Sequence, residues 1–234
     1  MVRQFFGGIG QNFVNPALVG RIVLMASFPT MMSTWVQPFA WRGVQVVTTA
    51  SPLASISSMF TAGDVSAAAT ASNPALPSLW QMLIGQRQGS LGEVCALALL
   101  LGFAYLLIRR VITPVIPLTY IGTVAVIMLI AGKGSLSFVA YEILGGGLLL
   151  GAIFMATDYT TSPINFKGKL IYGVGCGILT ALIRLFGSLP EGVSFSIIIM
   201  NILVPHIERL TTPKPFGSAK TPKKKQSRKK EAGA

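Results

Sequence analysis

Two acids set in apolar surroundings are the first candidates for chemistry. Glu142 lies within Phe138-Val139-Ala140-Tyr141-Glu142-Ile143-Leu144, and Asp158 follows Met155-Ala156-Thr157. On one continuous helix they would stand about 24 Å apart, at ~1.5 Å per residue, so a single span could carry an acid near each face of a membrane. Charge in lipid is costly, and such acids usually face a bundle interior and often mark ion routes. The plainer reading is an interfacial cap, or pairing with an arginine of another chain. Glu93, just before an apolar run, also suits the first turn of a helix, where the dipole favours an acid. Cys95 and Cys176 sit in apolar stretches without metal-ligand spacing and read as small packing residues, so no metal site is expected. His206, beside Pro205, reads as an interfacial residue.

The elements that must position these groups are membrane helices. Of the 234 residues 52% are hydrophobic and only 11% are charged, too few charges to cover a water-exposed surface. A soluble enzyme, a nucleic-acid-binding domain and a disordered chain are all poor fits. The expected fold is all-α, a polytopic helical membrane protein. Apolar stretches near 16–35, 91–108, 117–132, 138–156, 170–186 and 193–207 are each candidate spans. Arg21 interrupts the first of them. Gly145, Gly146, Gly147 and Gly151 on one span, and Gly173, Gly175 and Gly177 on the next, predict close helix–helix approach.

Charge gives the direction. The net charge is +12, and the segment from Arg209 onward holds nine Lys or Arg against the single acid Glu231. Residues 211–234 are expected to be a disordered basic cytoplasmic tail. With Arg109 and Arg110 placed in the cytoplasm, alternation brings Lys167 and Lys169 inside together with the tail. The Lys133 loop and the turn carrying Glu191 fall outside. The same alternation makes 37–90 a long extracytoplasmic loop and puts both termini of the chain in the cytoplasm. A polar loop of that length is where function is expected.

Four phrases, taken together, resemble a known family. They are Gly7-Gly8-Ile9-Gly10-Gln11-Asn12-Phe13-Val14-Asn15-Pro16-Ala17, then Gly89-Ser90-Leu91-Gly92-Glu93, then the run from Gly151 through Asp158-Tyr159-Thr160-Thr161-Ser162-Pro163, then Leu189-Pro190-Glu191-Gly192-Val193-Ser194. In order, they resemble the D subunit of the Rnf complex, a homologue of the B subunit of the Na+-pumping NADH:quinone reductase. The resemblance implies a cell-membrane subunit of a ferredoxin:NAD oxidoreductase that couples electron transfer to Na+ or H+ translocation and is active only in its complex. It also implies a covalent FMN, attached through its phosphate by an FMN transferase to a hydroxyl in a motif like Ser/Thr-Gly-Ala-Thr-Pro-Leu-Ala. The nearest match is Thr48-Thr49-Ala50-Ser51-Pro52-Leu53-Ala54, with Ser51 at the acceptor position. Here Ser replaces Thr, Thr49 replaces Gly, and Gln45 stands where an acid is common. Thr70, in Asp64-Val65-Ser66-Ala67-Ala68-Ala69-Thr70, is the alternative acceptor.

Gln11, Asn12 and Asn15 are candidate contacts to a flavin or ion, with helix capping as their plain role. Glu142 and Asp158 are the candidate ion pathway. No catalytic residue is assigned, and the resemblance leaves room for a second, non-covalent flavin. Other Rnf subunits and membrane lipid are the expected partners, and nucleic acid is not. Relatives usually carry further spans before the Gly-Gly-Ile-Gly-Gln-Asn phrase, so N-terminal spans are expected to be missing from this chain. Two other readings stand beside this one: a secondary transporter or channel without redox cofactor, and a scaffold subunit whose flavin site has decayed.

Overall fold

The computed structural model describes residues 12–36, 48–49, 51–61, 76–90, 92–187 and 191–213. Gln11, Ala50, Thr70 and the basic tail lie outside the described residues, as do Gly7–Gly10 of the opening phrase. The helices are α1 (Pro16–Ser27), α2 (Pro29–Ser33), α3 (Pro52–Thr61), α4 (Leu79–Ile84), α5 (Ala96–Ile108) and α6 (Val115–Ala131). They continue as α7 (Leu136–Leu144), α8 (Leu148–Leu150, extended by a π-helical turn over Gly151–Met155), α9 (Phe166–Phe186) and α10 (Val193–Thr211). The one sheet among the described residues is a two-residue antiparallel ladder, Trp35 opposite Thr49 and Val36 opposite Thr48. The fold is all-α, as composition implied.

Local sequence sets most helix ends. Asn15 caps α1, its Oδ1 accepting from Ala17 N at 3.0 Å, and Pro16 takes the first helical position, where a missing N–H costs nothing. Pro29 then divides α1 from α2, because a proline removes a helical donor and crowds the residue before it. The apolar stretch 16–35 is therefore two helices rather than one. Ser78 and Gln81 form a reciprocal capping box on α4, which ends at left-handed Gly85. The run 91–108 becomes helical only from Ala96.

The largest departure from expectation is the stretch 138–156. It is two pieces, α7 and α8, bent by 65° at Gly145, Gly146 and Gly147. Gly146 has φ +57°, a backbone state that side chains disfavour. Glu142 and Asp158 thus do not share one straight helix, and the 24 Å spacing that a continuous span would give them, at ~1.5 Å per residue, does not apply.

α9 is the central element, packed against α6 on one side and α10 on the other. Its glycines allow this: a Cβ at Gly177 would lie 2.5 Å from Thr123 Cβ on α6, and one at Gly175 would lie 2.5 Å from Met200 Cε on α10. In lipid, where apolar burial drives little, such close approach supplies dispersion and interhelical hydrogen bonds. Tyr120, Thr180 and Ser196, all fully buried, close a triangle of hydroxyl contacts of 2.6, 2.9 and 2.7 Å between α6, α9 and α10. Leu101, Ile108, Ile130, Phe186 and Leu210 point outward, as expected of faces solvated by lipid.

Two helices, α9 and α10, are each long and apolar enough to cross a membrane, and the bent pair α7–α8 makes a third candidate. α1, α5 and α6, of 12, 13 and 17 residues, are shorter apolar helices. The chain is an integral membrane protein.

Candidate functional site

The break between α7 and α8 collects the charges that interrupt the apolar runs. α9 brings Arg184 to it, and α7 brings Glu142. Arg184 Nη1 donates to the Glu142 carboxylate at 2.9 Å and to the Glu142 carbonyl at 2.6 Å. Both side chains are nearly inaccessible, at 2% and 6% exposure. The opposite edge of the same guanidinium is different: Nε and Nη2 of Arg184 are buried and have no partner among the described residues.

A second charged group adjoins the first. Arg21, on α1, donates to Glu93 through one nitrogen and to Glu191 through the other, the latter at 2.5 Å. Arg87, 4% exposed, spends its donors on main-chain carbonyls: Nε reaches Val94 O at 3.1 Å and Nη2 reaches Gly146 O at 3.4 Å as well as Glu93 O. Gly147 is small because Glu93 is there, its carboxylate oxygen 2.8 Å from where a Cβ would stand. Burial pushes the Glu191 carboxyl above the ordinary carboxylate range; nearby Glu93 adds to the rise and Arg21 opposes it. Burial lowers the Arg87 guanidinium from its usual value, with Glu93 opposing. Three arginines and three glutamates thus meet around one broken helix. Isolated charges in a low dielectric are too costly to persist unpaired, so each finds either a counter-ion or carbonyls.

The helix that follows Ser51 reaches the same place through Leu53. Ser51 is 8% exposed and precedes α3, its Oγ accepting from Ala54 N at 3.3 Å in the manner of an N-cap. Leu53, in the first turn, packs on the break: a Cβ at Gly146 would lie 2.9 Å from Leu53 Cδ2 and 3.5 Å from Arg184 Nη2. Thr48 and Thr49 form the strand β2 just before it, and Pro52 opens α3.

The remaining candidates gather elsewhere. Asn15, besides capping α1, donates from Nδ2 to Met155 O at 3.5 Å, at the end of the π turn. The Asn201 amide bonds the Tyr172 hydroxyl at 2.7 Å and, with its oxygen toward Asn15 N at 3.3 Å, ties α1, α9 and α10 together. Asn12 Oδ1 is buried without a partner among the described residues. Asp158 closes a turn, its carboxylate accepting from Thr160 Oγ1 at 2.9 Å, Thr161 Oγ1 at 3.3 Å and Thr160 N at 3.4 Å. Lys169 Nζ donates to Thr113 Oγ1 at 3.2 Å, so two of the basic segments lie side by side. Cys95 and Cys176 are free thiols, and His206 is exposed on α10.

The structure therefore joins Glu142 and Glu93 in one region, on which Leu53, two residues after Ser51, also packs, while Asp158 and Asn15 make their contacts elsewhere. Sequence reasoning missed Arg184, Arg87 and the pairing role of Arg21. The available signal was a lone arginine in an apolar run, at Arg21 and again at Arg184.

Comparison with known proteins identifies the family. Residues 1–217 match the profile of the NQR2, RnfD, RnfE family. The chain is 43% identical over 224 residues to the D subunit of the Na+-translocating ferredoxin:NAD+ oxidoreductase complex of Acetobacterium woodii, a match covering 95% of this chain and 65% of the relative. It is 39% identical to the D subunit of the proton-translocating ferredoxin:NAD+ oxidoreductase complex of Clostridium ljungdahlii, over 93% of this chain and 65% of that protein. Against the D subunit of the ion-translocating oxidoreductase complex of Stutzerimonas stutzeri the identity is 37%, over 92% and 66%. The chain thus spans slightly less than two thirds of the length of these curated relatives. By profile and by identity, it belongs to the NQR2, RnfD, RnfE family.

Proposed function

We propose that this chain is a membrane subunit of an ion-translocating ferredoxin:NAD oxidoreductase complex in the cell membrane, and that Ser51 carries an FMN through a phosphoester. The likeness to three D subunits carries the first part. The second rests on Ser51, a buried hydroxyl at the N-terminus of a ten-residue helix whose Leu53 packs on the broken helix. A phosphate there would meet first-turn N–H groups and the positive end of the helix dipole. FMN, when bound, would accept and pass on electrons; the residues of this chain hold it, exclude water from its anchor and fix its position. The expected partners are the other subunits of the complex, an FMN transferase that loads the hydroxyl, and Na+ or H+. The Lys169–Thr113 bond suits an arrangement with the basic segments together on the cytoplasmic side and Ser51 toward the opposite face.

In-gel flavin fluorescence of the denatured protein, produced with the transferase, tests the attachment. The wild-type band should glow and Ser51→Ala should be dark. Fluorescence that survives Ser51→Ala and vanishes in Thr70→Ala moves the flavin to Thr70. Glu142 and Asp158 remain the proposed ion pathway, Glu142 through its place at the broken helix.

The bent α7–α8 pair with its π turn favours a second reading, a secondary transporter without redox cofactor, since broken helices commonly form ion sites in such proteins. A wild-type band without fluorescence, despite the transferase, would favour it.

A further inference from the structure

Four basic side chains at one end of the bundle have no counter-ion. Arg109 and Arg110, between α5 and α6, and Lys167 and Lys169, in the first turn of α9, enter no ion pair among the described residues. The interior arginines differ, since Arg21 and Arg184 each hold a glutamate. The bond from Lys169 Nζ to Thr113 Oγ1, at 3.2 Å, brings the two basic segments together. Where they meet, a half-open cleft of about 230 Å³ is bounded by Val111, Thr113, Thr157, Ser162, Ile164 and Lys169. An ammonium has three donors, so Lys169 keeps two after Thr113, and the Thr113 hydroxyl, having accepted, still has its own proton to give. The nearby acids are already engaged. Glu208 Oε1 accepts from Ile164 N at 3.1 Å, and the Asp158 carboxylate accepts from Thr160 and Thr161. The cleft therefore presents a cation and hydroxyl donors, which suit an anion.

We infer that this cleft binds the phosphate of an anionic phospholipid. Location favours a lipid over a soluble anion. Lys169 lies at the start of α9, a helix long enough to cross a membrane, which puts the cleft at the level of the lipid headgroups. Its rim is apolar and open: Tyr159 and Ile164, both lining the cleft, are 80% and 79% exposed, and an amphipathic ring there suits the membrane interface. Size points the same way. The volume falls below the ~300–1,000 Å³ usual for enclosing a drug-sized ligand, so a headgroup can enter while the acyl chains stay outside. A phosphate held by Lys169 and Thr113 has Arg109, Arg110 and Lys167 exposed on the adjoining segments, and basic residues at an anionic lipid surface add to the attraction. The lipid bridges the α5–α6 connection and the start of α9, so binding should stabilise the fold. The reading depends on neither the flavin nor the ion pathway.

The test uses the whole complex, washed free of lipid in detergent, as wild type, Lys169→Gln, Ile164→Glu and Lys133→Gln. Lys133 is exposed in the α6–α7 connection and does not line the cleft, so its variant is the control. Melting temperature is followed against added phosphatidylglycerol, phosphatidylcholine (whose choline neutralises its own phosphate) and inorganic phosphate. Phosphatidylglycerol should raise it in wild type and in Lys133→Gln, with the same half-saturating concentration. In Lys169→Gln that concentration should rise about fivefold or more, the loss expected for one lysine at an anionic lipid surface. Ile164→Glu, which sets a negative charge at the exposed rim, should raise it too. Native mass spectrometry gives a readout independent of stability: wild type should retain a phosphatidylglycerol that Lys169→Gln loses. An equal response to phosphatidylcholine, or a half-saturating concentration unchanged in Lys169→Gln, would overturn the proposal. Inorganic phosphate that stabilises as well as the lipid would make this a free-phosphate site and remove the lipid. A wild-type complex that neither retains nor responds to phosphatidylglycerol would also overturn it, leaving the cleft to a neighbouring subunit.

Discussion

Replacing Glu142 by Gln keeps the shape of the side chain and deletes its charge, leaving Arg184 ionised inside the helix bundle. Breaking a buried ion pair from one side typically costs about 3–5 kcal/mol, because the surviving charge has lost its counter-ion but not its desolvation penalty. Two features of the structure put Glu142→Gln at the lower end. Nη1 of Arg184 keeps its 2.6 Å bond to the Glu142 carbonyl, and the new amide oxygen can replace the carboxylate oxygen at 2.9 Å. A loss of about 3 kcal/mol is therefore expected, more than a hundredfold in the folded-to-unfolded ratio at ~1.36 kcal/mol per factor of ten. Titrating the protein in mixed micelles with a denaturing detergent, followed by its far-ultraviolet helical signal, measures it. Adding Arg184→Gln to the same protein should recover part of the loss, since the uncompensated charge goes with it. A single variant within about 0.5 kcal/mol of wild type would refute the argument, given the 0.5–3 kcal/mol coupling typical of residues in contact. So would a double variant as costly as the two singles combined.

Other outcomes follow from the same geometry. Tyr120→Phe removes one corner of the buried hydroxyl triangle but leaves Thr180 and Ser196 bonded at 2.7 Å, so it should cost only about 0.6–1.5 kcal/mol in the same titration. Gly177→Leu places a side chain where a Cβ alone would already lie 2.5 Å from Thr123 Cβ and 3.1 Å from the Tyr120 carbonyl; forcing α6 and α9 apart should cost about 3 kcal/mol or more, read as a lower melting temperature. Asp158→Asn removes an acceptor from a turn in which one carboxylate serves three donors, costing about 1 kcal/mol. On the proposed ion pathway it should also slow cation-coupled turnover in vesicles with flavin content unchanged, and undiminished pumping would remove Asp158 from that proposal.

Much was legible in the residue order because it depends on neighbours along the chain. The scarcity of charge and the length of the apolar runs imply a helical membrane protein, since a backbone in lipid must satisfy its own hydrogen bonds. Asn15-Pro16 announces the start of α1, because a cap acts within one turn, whereas α4 with its Ser78–Gln81 capping box lies in the segment 37–90 that was expected as a loop. The phrases around Gln11, Glu93, Asp158 and Glu191 carry the family resemblance with no knowledge of how they pack.

What only tertiary structure decided is where the charges go. Arg21 stood out as an isolated basic residue and Glu142 as an isolated acid, while Arg184 passed unread inside the apolar stretch 170–186. Low dielectric demands partners for such groups but does not name them. Arg21 pairs across 72 and 170 positions of sequence and Arg184 across 42, separations that no local pattern encodes. The glycines at 145–147 predicted close packing, yet whether they would straighten, kink or break the span depended on Leu53, Glu93 and Arg184 arriving from other segments. Lone charges in lipid therefore mark an interior site from sequence alone, while the fold selects their counter-ions.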